Sequence, residues 1–108
     1  MWSELWVGWF TVWADAKAAN KSASEFRSGV SAMASEGASF SLYMAHGGTN
    51  FGFWSGANGD QTSEGKESFK PDITSYDYSS PISEAGDHNV GSDGGDLFKA
   101  VRVSCVIM

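Results

Sequence analysis

Phe40-Ser41-Leu42-Tyr43-Met44-Ala45-His46-Gly47-Gly48-Thr49-Asn50 is the stretch on which the fold turns. Phe40, Leu42 and Met44 alternate with Ser39, Ser41 and Tyr43, and a period of two puts neighbours on opposite faces of a strand. The spacing predicts a strand over residues 38–45 with two different faces. His46-Gly47-Gly48 reads as a tight exit from strand to loop. Upstream the period changes. Between Asp15 and Glu36, the residues Ala19, Ala23, Phe26, Val30, Met33 and Ala34 recur at steps of three and four, with Lys17, Lys21, Glu25 and Arg27 between them. That predicts an amphipathic helix over 15–36. Gly37 ends it, where a left-handed cap costs least. Residues 1–6 are apolar and aromatic around one carboxylate, Glu4, and predict the end of a buried strand.

The order is therefore strand, loop, helix, strand, one βαβ unit. A right-handed crossover makes the two strands parallel and places their C-terminal ends on one edge of the sheet. Glu4 and Tyr43 then share that edge. Residues 46–95 are dominated by Gly, Ser, Asn and Asp, broken by Pro71 and Pro81, and read mostly as loop. Loops of that length are often functional. Residues 59–68 read as a mobile surface insertion. From Asp96 the apolar spacing returns in Leu97, Val101, Cys105 and Met108, beside Lys99 and Arg102, and predicts a closing helix or a divergent tail over 96–108.

Composition narrows the function. A net charge of −6 argues against nucleic acid or an anionic membrane surface as partner. No apolar run approaches about 18 residues, so no spanning helix is expected. Cys105 stands alone and forms no internal disulfide. His46 and His88 have no Cys partners and no short His-x-x-x-His spacing, so no metal is expected. Gly47-Gly48-Thr49-Asn50 lacks the Lys-Ser/Thr of a phosphate loop. Asn20-Lys21-Ser22 fits a glycosylation sequon. The chain has 5 Trp, 7 Phe and 3 Tyr in 108 residues. Such rings suit the apolar C–H faces of sugars as well as a core.

Three separated motifs carry more. The first is Met1-Trp2-Ser3-Glu4-Leu5-Trp6-Val7-Gly8-Trp9-Phe10. The second is Tyr43-Met44-Ala45-His46-Gly47-Gly48-Thr49-Asn50-Phe51-Gly52-Phe53-Trp54. The third joins Ser75-Tyr76-Asp77-Tyr78 to Ser83-Glu84-Ala85-Gly86-Asp87. In this order and spacing they resemble the end of the catalytic barrel in glycoside hydrolase family 35, the β-galactosidases, over residues 1–87. The resemblance implies an α/β fold that is a fragment of a (β/α)8 TIM barrel, about its seventh and eighth strands with their loops. Residues 1–95 would belong to the barrel and 96–108 to its last helix or a divergent tail. A whole barrel needs about 200 residues or more. Met1 is then expected to be internal to a longer protein, since neither a basic n-region nor an apolar h-region precedes the motif. Extracellular, vacuolar and lysosomal locations all remain open.

The same resemblance implies the roles. Glu4 is the expected nucleophile of a retaining hydrolase that releases terminal β-linked galactose, with no cofactor. Trp6 and Trp9 would wall the sugar. Tyr43, Tyr76 and Tyr78 would line the galactose pocket, with Tyr78 favoured for the sugar hydroxyls and Tyr43 for the Glu4 carboxylate. Trp54 is a candidate for the leaving-group side. Asp77 and Glu84 read as structural carboxylates that fix the loop presenting the tyrosines. The acid/base glutamate of the family lies upstream of the nucleophile, so the 108 residues alone are expected to be inactive and to need the missing N-terminal part of the barrel. A relative acting on another β-linked sugar and a non-catalytic carbohydrate-binding remnant are the alternatives.

Overall fold

The computed structural model describes residues 1–52, 54–61 and 67–105. Strand β1 (Trp2–Trp6) pairs in parallel with β3 (Phe40–Tyr43), with Trp2 opposite Phe40, Leu5 opposite Leu42 and Trp6 opposite Tyr43. Helix α1 (Ala23–Ser35) connects them. The βαβ unit is therefore present, and the parallel pairing carries both strands to a common C-terminal edge. Gly37, at φ +64°, ends α1. Its N–H donates to the Ala34 carbonyl at 2.9 Å, and the Ala38 N–H donates to Met33 at 3.0 Å. The last carbonyls of the helix are thereby satisfied.

The helix starts later than its periodicity indicates, at Ala23 rather than Asp15. Ser22 and Glu25 form a reciprocal capping box: the Glu25 N–H donates to Ser22 Oγ at 3.1 Å, and the Ser22 N–H donates to a Glu25 carboxylate oxygen at 3.0 Å. Residues before the cap are held elsewhere. The Ala19 N–H donates to Thr11 Oγ1 at 3.0 Å, and Ser79 Oγ donates to the Ala19 carbonyl at 2.8 Å.

Residues 46–95 are mostly loop, as expected, but they also hold two strands, β4 (Ala57–Gln61) and β5 (Glu67–Thr74), which with β2 (Thr11–Val12) form a three-stranded antiparallel sheet in the order β2-β5-β4. Within the expected insertion at 59–68, residues 59–61 lie on the β4 arm and 67–68 on the β5 arm of a hairpin, while residues 62–66 lie outside the described part. Ladder pairing overrides the poor strand propensity of Gly, Asn, Asp and Pro here. Within the expected 96–108 span, helix α2 covers Leu97–Cys105, and 106–108 lie outside the described residues.

The core is small. Val7, Ala23, Phe26, Leu97 and Ala100 are buried together, with Leu42, Tyr76 and Val101 packed against them. Helix α1 thus faces α2 on one side and the strand pair on the other. Strand β1 is a further correction: it is exposed, not buried, with Trp2 at 59% and Trp6 at 50% accessibility. Among the described residues, the strand pair is packed through Leu42 against the core of α1 and α2, while the Trp2 and Trp6 rings stay exposed. The radius of gyration is 15.5 Å, against about 13 Å for a compact domain of roughly 100 residues.

Candidate active site

The site grows from the common edge of β1 and β3. Glu4 lies on β1, and Trp6 lies two residues on, so both side chains leave the strand on the same face. The Trp6 indole Nε1–H donates to Glu4 Oε2 at 2.9 Å. Trp2 Nε1–H donates to the Glu4 carbonyl at 2.7 Å, which fixes the strand around the carboxylate. An open hollow of about 550 Å³ is lined by Trp2, Glu4 and Trp6 with the residues between and beside them.

Aromatic rings extend the site away from Glu4. The centroids of Trp6 and Trp9 lie 5.6 Å apart. Trp9 meets Tyr76 edge-on at 6.3 Å, and Tyr76 meets Tyr43 edge-on at 5.4 Å. These tilted and edge-to-face contacts suit the quadrupoles of the rings. Glu4, Trp6, Trp9, Tyr76 and Tyr43 thus form one connected group drawn from β1, the loop after it, β3 and the 75–80 turn. Burial first, then the neighbouring Tyr43 and Glu4, raises the pKa of the Tyr76 phenol. Tyr76 therefore stays a neutral hydrogen-bond donor through the physiological range.

Two expectations shift in detail. Among the described residues, the hydrogen bond to the Glu4 carboxylate comes from Trp6, and none joins Tyr43 to it. Tyr78 lies on the turn beside the cluster, 37% accessible, and makes none of the described ring contacts. The expected tyrosine pair therefore divides into Tyr76 inside the aromatic group and Tyr78 at its margin. Trp54 is 89% exposed and likewise outside the group.

The turn that carries both tyrosines is locked by backbone contacts. A Cβ on Gly47 would overlap the backbone of Asp77, so only glycine lets the β3 exit and the tyrosine turn touch. His46 Nδ1 accepts the Gly48 N–H at 2.9 Å, and the Ile82 N–H donates to the Ala45 carbonyl at 2.9 Å. The Tyr43–Met44 peptide bond is cis. Asp77 accepts the Glu84 backbone N–H, while its burial pushes its carboxyl pKa upward. Ser83 closes the next turn, its N–H donating to the Asp87 carbonyl at 2.8 Å and its Oγ accepting the Asp87 N–H at 3.1 Å. Asp77 thus ties the tyrosine turn to the backbone of Glu84, while its Oδ1 is buried with no hydrogen-bond partner among the described residues.

Two residues that pattern reading missed hold this frame. The Asn89 amide donates to the Asp77 carbonyl and, at 2.9 Å, to that of Ser80. Asp93 accepts the Ala23 N–H at 3.0 Å and the Ser24 N–H at 3.1 Å at the start of α1. An Asn or Asp among glycines was the available signal, but it marks turns generally and does not name a distant partner. No group of three or more His, Cys, Asp or Glu that could hold a metal occurs among the described residues.

A strand-edge carboxylate held by an indole and flanked by aromatic rings combines a charged group with apolar faces of the kind that pack on sugar C–H surfaces. The family model for glycosyl hydrolases family 35 matches residues 1–91. The chain belongs to that family. It is 46% identical over 101 residues to "Beta-galactosidase 8" of Oryza sativa subsp. japonica, covering 93% of this chain and 14% of that protein. It is 45% identical over 85 residues to "Beta-galactosidase 17" of Arabidopsis thaliana and, equally, to "Beta-galactosidase-1-like protein" of Mus musculus, covering 79% of this chain and 12% of each relative. The chain thus spans 12–14% of the length of these relatives.

Proposed function

We propose that these residues form part of the active site of a retaining β-galactosidase, with Glu4 as its nucleophile. The observation that carries the reading is the Glu4 carboxylate at a strand edge, held by the Trp6 indole at 2.9 Å and continuous with the Trp9, Tyr76 and Tyr43 rings. Family membership and the relatives' names support it. In the first step a Glu4 oxygen bonds to the anomeric carbon as the bond to the leaving oxygen breaks. That oxygen takes a proton from a second carboxyl group, about 5–5.5 Å away in retaining enzymes. In the second step the same group, now a carboxylate, takes a proton from water. The water oxygen bonds to the anomeric carbon and Glu4 departs.

The Trp6 N–H has a clear part in this cycle. It donates to the carboxylate and so fixes the orientation of the attacking group on the strand face. The aromatic group offers an apolar wall to the sugar, and the tyrosine hydroxyls offer partners to its hydroxyls. Trp6, Trp9, Tyr43, Tyr76 and Tyr78 are the proposed substrate contacts. The second carboxyl group is proposed to come from outside these 108 residues, since the described acidic groups nearest the fold's polar clamps are already engaged: Glu25 in the capping box, Asp93 at the head of α1, Asp96 with His88 and Lys99. The exposed β1–β3 pair is then a section of a larger barrel sheet whose neighbouring strands cover it. The 108 residues alone would have no hydrolase activity.

The test is covalent. The full-length polypeptide carrying these residues is treated with a slow 2-deoxy-2-fluoro-β-galactoside, digested and analysed by mass spectrometry. The label should sit on the peptide containing Glu4, and Glu4→Gln should lower turnover of an aryl β-galactoside by about 10⁴-fold or more. A label on another carboxylate, or full turnover by Glu4→Gln, overturns the assignment.

A further inference from the structure

A second hollow adjoins the aromatic group on the side of the hairpin. It measures about 310 Å³ and is lined by Trp9, Phe10, Asp15, Asn58 and Lys70 among others. Trp9 belongs to both places. Its ring lies 5.6 Å from that of Trp6, whose indole holds Glu4, so the hollow begins one ring beyond the nucleophile's own partner. The opposite wall comes from the hairpin. Asn58 on β4 and Lys70 on β5 are directly paired across the ladder, and directly opposed residues project from the same face. Gly59, next along β4, has no side chain to fill the space between them and the loop.

The chemistry of the two walls differs. On one side Trp9 and Phe10 meet at 4.8 Å, tilted 36° to one another, and offer an apolar wall. On the other an amide and an ammonium offer donors, and the amide also an acceptor. A pyranose ring has one apolar face and a rim of hydroxyls, and it matches both walls at once. A planar aryl group matches only the aromatic one. The volume lies near the lower end of the range for small-molecule sites, about 300–1,000 Å³, and suits one ring rather than a chain of them.

We infer that this hollow is the leaving-group subsite, that its occupant is a second sugar residue, and that Asn58 and Lys70 select oligosaccharide over aryl galactosides. The inference rests on the proposed hydrolase reading and deepens it. The hairpin is then a specificity element attached beside a site that it does not build.

The test uses the full-length polypeptide with two substrates, a β-galactosyl disaccharide and an aryl β-galactoside. Asn58→Ala and, separately, Lys70→Ala should each lower kcat/KM for the disaccharide by about 3- to 10-fold, the scale of one lost hydrogen bond. The aryl substrate should respond by less than about twofold, which also reports that the variants fold. Lys70→Arg should restore part of the loss. Equal losses on both substrates, or none on either, overturn the subsite while the hydrolase reading stands. Failure of the unaltered protein to cleave either substrate overturns the hydrolase reading, and this inference with it.

Discussion

The rear of the molecule and its front edge are stabilised in opposite ways. At the rear, α1, α2 and the 76–97 segment enclose Val7, Phe26, Leu97 and Ala100, and side chains far apart in sequence satisfy the backbone: Asn89 serves the tyrosine turn and Asp93 the first turn of α1. At the front, Trp2, Trp6, Trp9 and Tyr43 stay 41–59% accessible, and their ring contacts and indole hydrogen bonds run to one another, to Phe10 and Tyr76, and to Glu4. The rear is closed by partners inside the chain. The front presents rings and a carboxylate outward, as the proposed sugar site and barrel neighbours would require. Substitutions at the rear should therefore act on stability, and those at the front on chemistry.

Asn89→Ala should give the largest effect on the rear. Ser80 is fully buried, and the variant removes the amide that serves its carbonyl and that of Asp77. The Asp77 carbonyl shares the single Ser80 hydroxyl proton with the Ile82 carbonyl, at 3.1 and 2.9 Å, so the loss falls fully on Ser80 and in part on Asp77. Leaving one buried acceptor unpaired costs about 1–3 kcal/mol, read as a lower midpoint in denaturant unfolding. Asn89→Asp should be worse at neutral pH, because it sets a carboxylate against two carbonyl oxygens. An unchanged midpoint in both variants would break the contrast between the two regions.

Trp6→Phe tests the front. It keeps a ring beside Trp9 and removes the N–H that donates to Glu4 at 2.9 Å. The denaturation midpoint should stay close to that of the unaltered protein. The rate of galactosyl-enzyme formation should fall by about 10-fold, the lower end for a hydrogen bond to a charged group. A fall in stability without a fall in rate would assign Trp6 to the frame instead. The measurement is pre-steady-state release of an aryl leaving group.

The two regions also differ in how openly the sequence declares them. The βαβ unit is legible because its periods are written in apolar spacing: Phe26 and Val30 are buried on α1, and Phe40 and Leu42 share one face of β3. The helix start is misread from composition, since Ala and Lys between residues 15 and 21 favour helix intrinsically. The Ser22-Ala23-Ser24-Glu25 box was the better guide, because it satisfies real orphan N–H groups. The hairpin is invisible to propensity, since Asn58, Gly59, Asp60 and Pro71 are poor strand residues whose extended form comes from pairing with each other's strands. The front site is legible in its motifs, and Glu4, Trp6, Trp9, Tyr43 and Tyr76 do come together. The roles of Asn89 and Asp93 are not legible, because each acts on backbone groups 9–70 residues away and no periodicity records such a contact.

Asp93 gives the smallest effect and the sharpest test of the rear as an electrostatic frame. Hydrogen bonds from the Ala23, Gly95 and Ser24 N–H groups hold its carboxyl pKa well below the usual range. The head of α1, with its partial positive charge, favours the same ionised form. A depressed folded pKa means that the unfolded chain binds the proton more readily, so stability falls as pH falls. The contribution is fully present above the unfolded value of about 4 and is lost progressively below it. Asp93→Asn removes the charge while keeping one acceptor. At pH 7 it should lower the unfolding midpoint slightly, and the difference from the unaltered protein should shrink as the pH drops below about 4. The acid slope should persist in part, because Asp96 is held at about 2 by the Lys99 N–H and His88, and Glu25 is lowered by Ser22. A difference that stays constant from pH 7 to pH 3 would show that Asp93 caps α1 by shape alone. The closed region would then owe nothing to charge at that end of the helix.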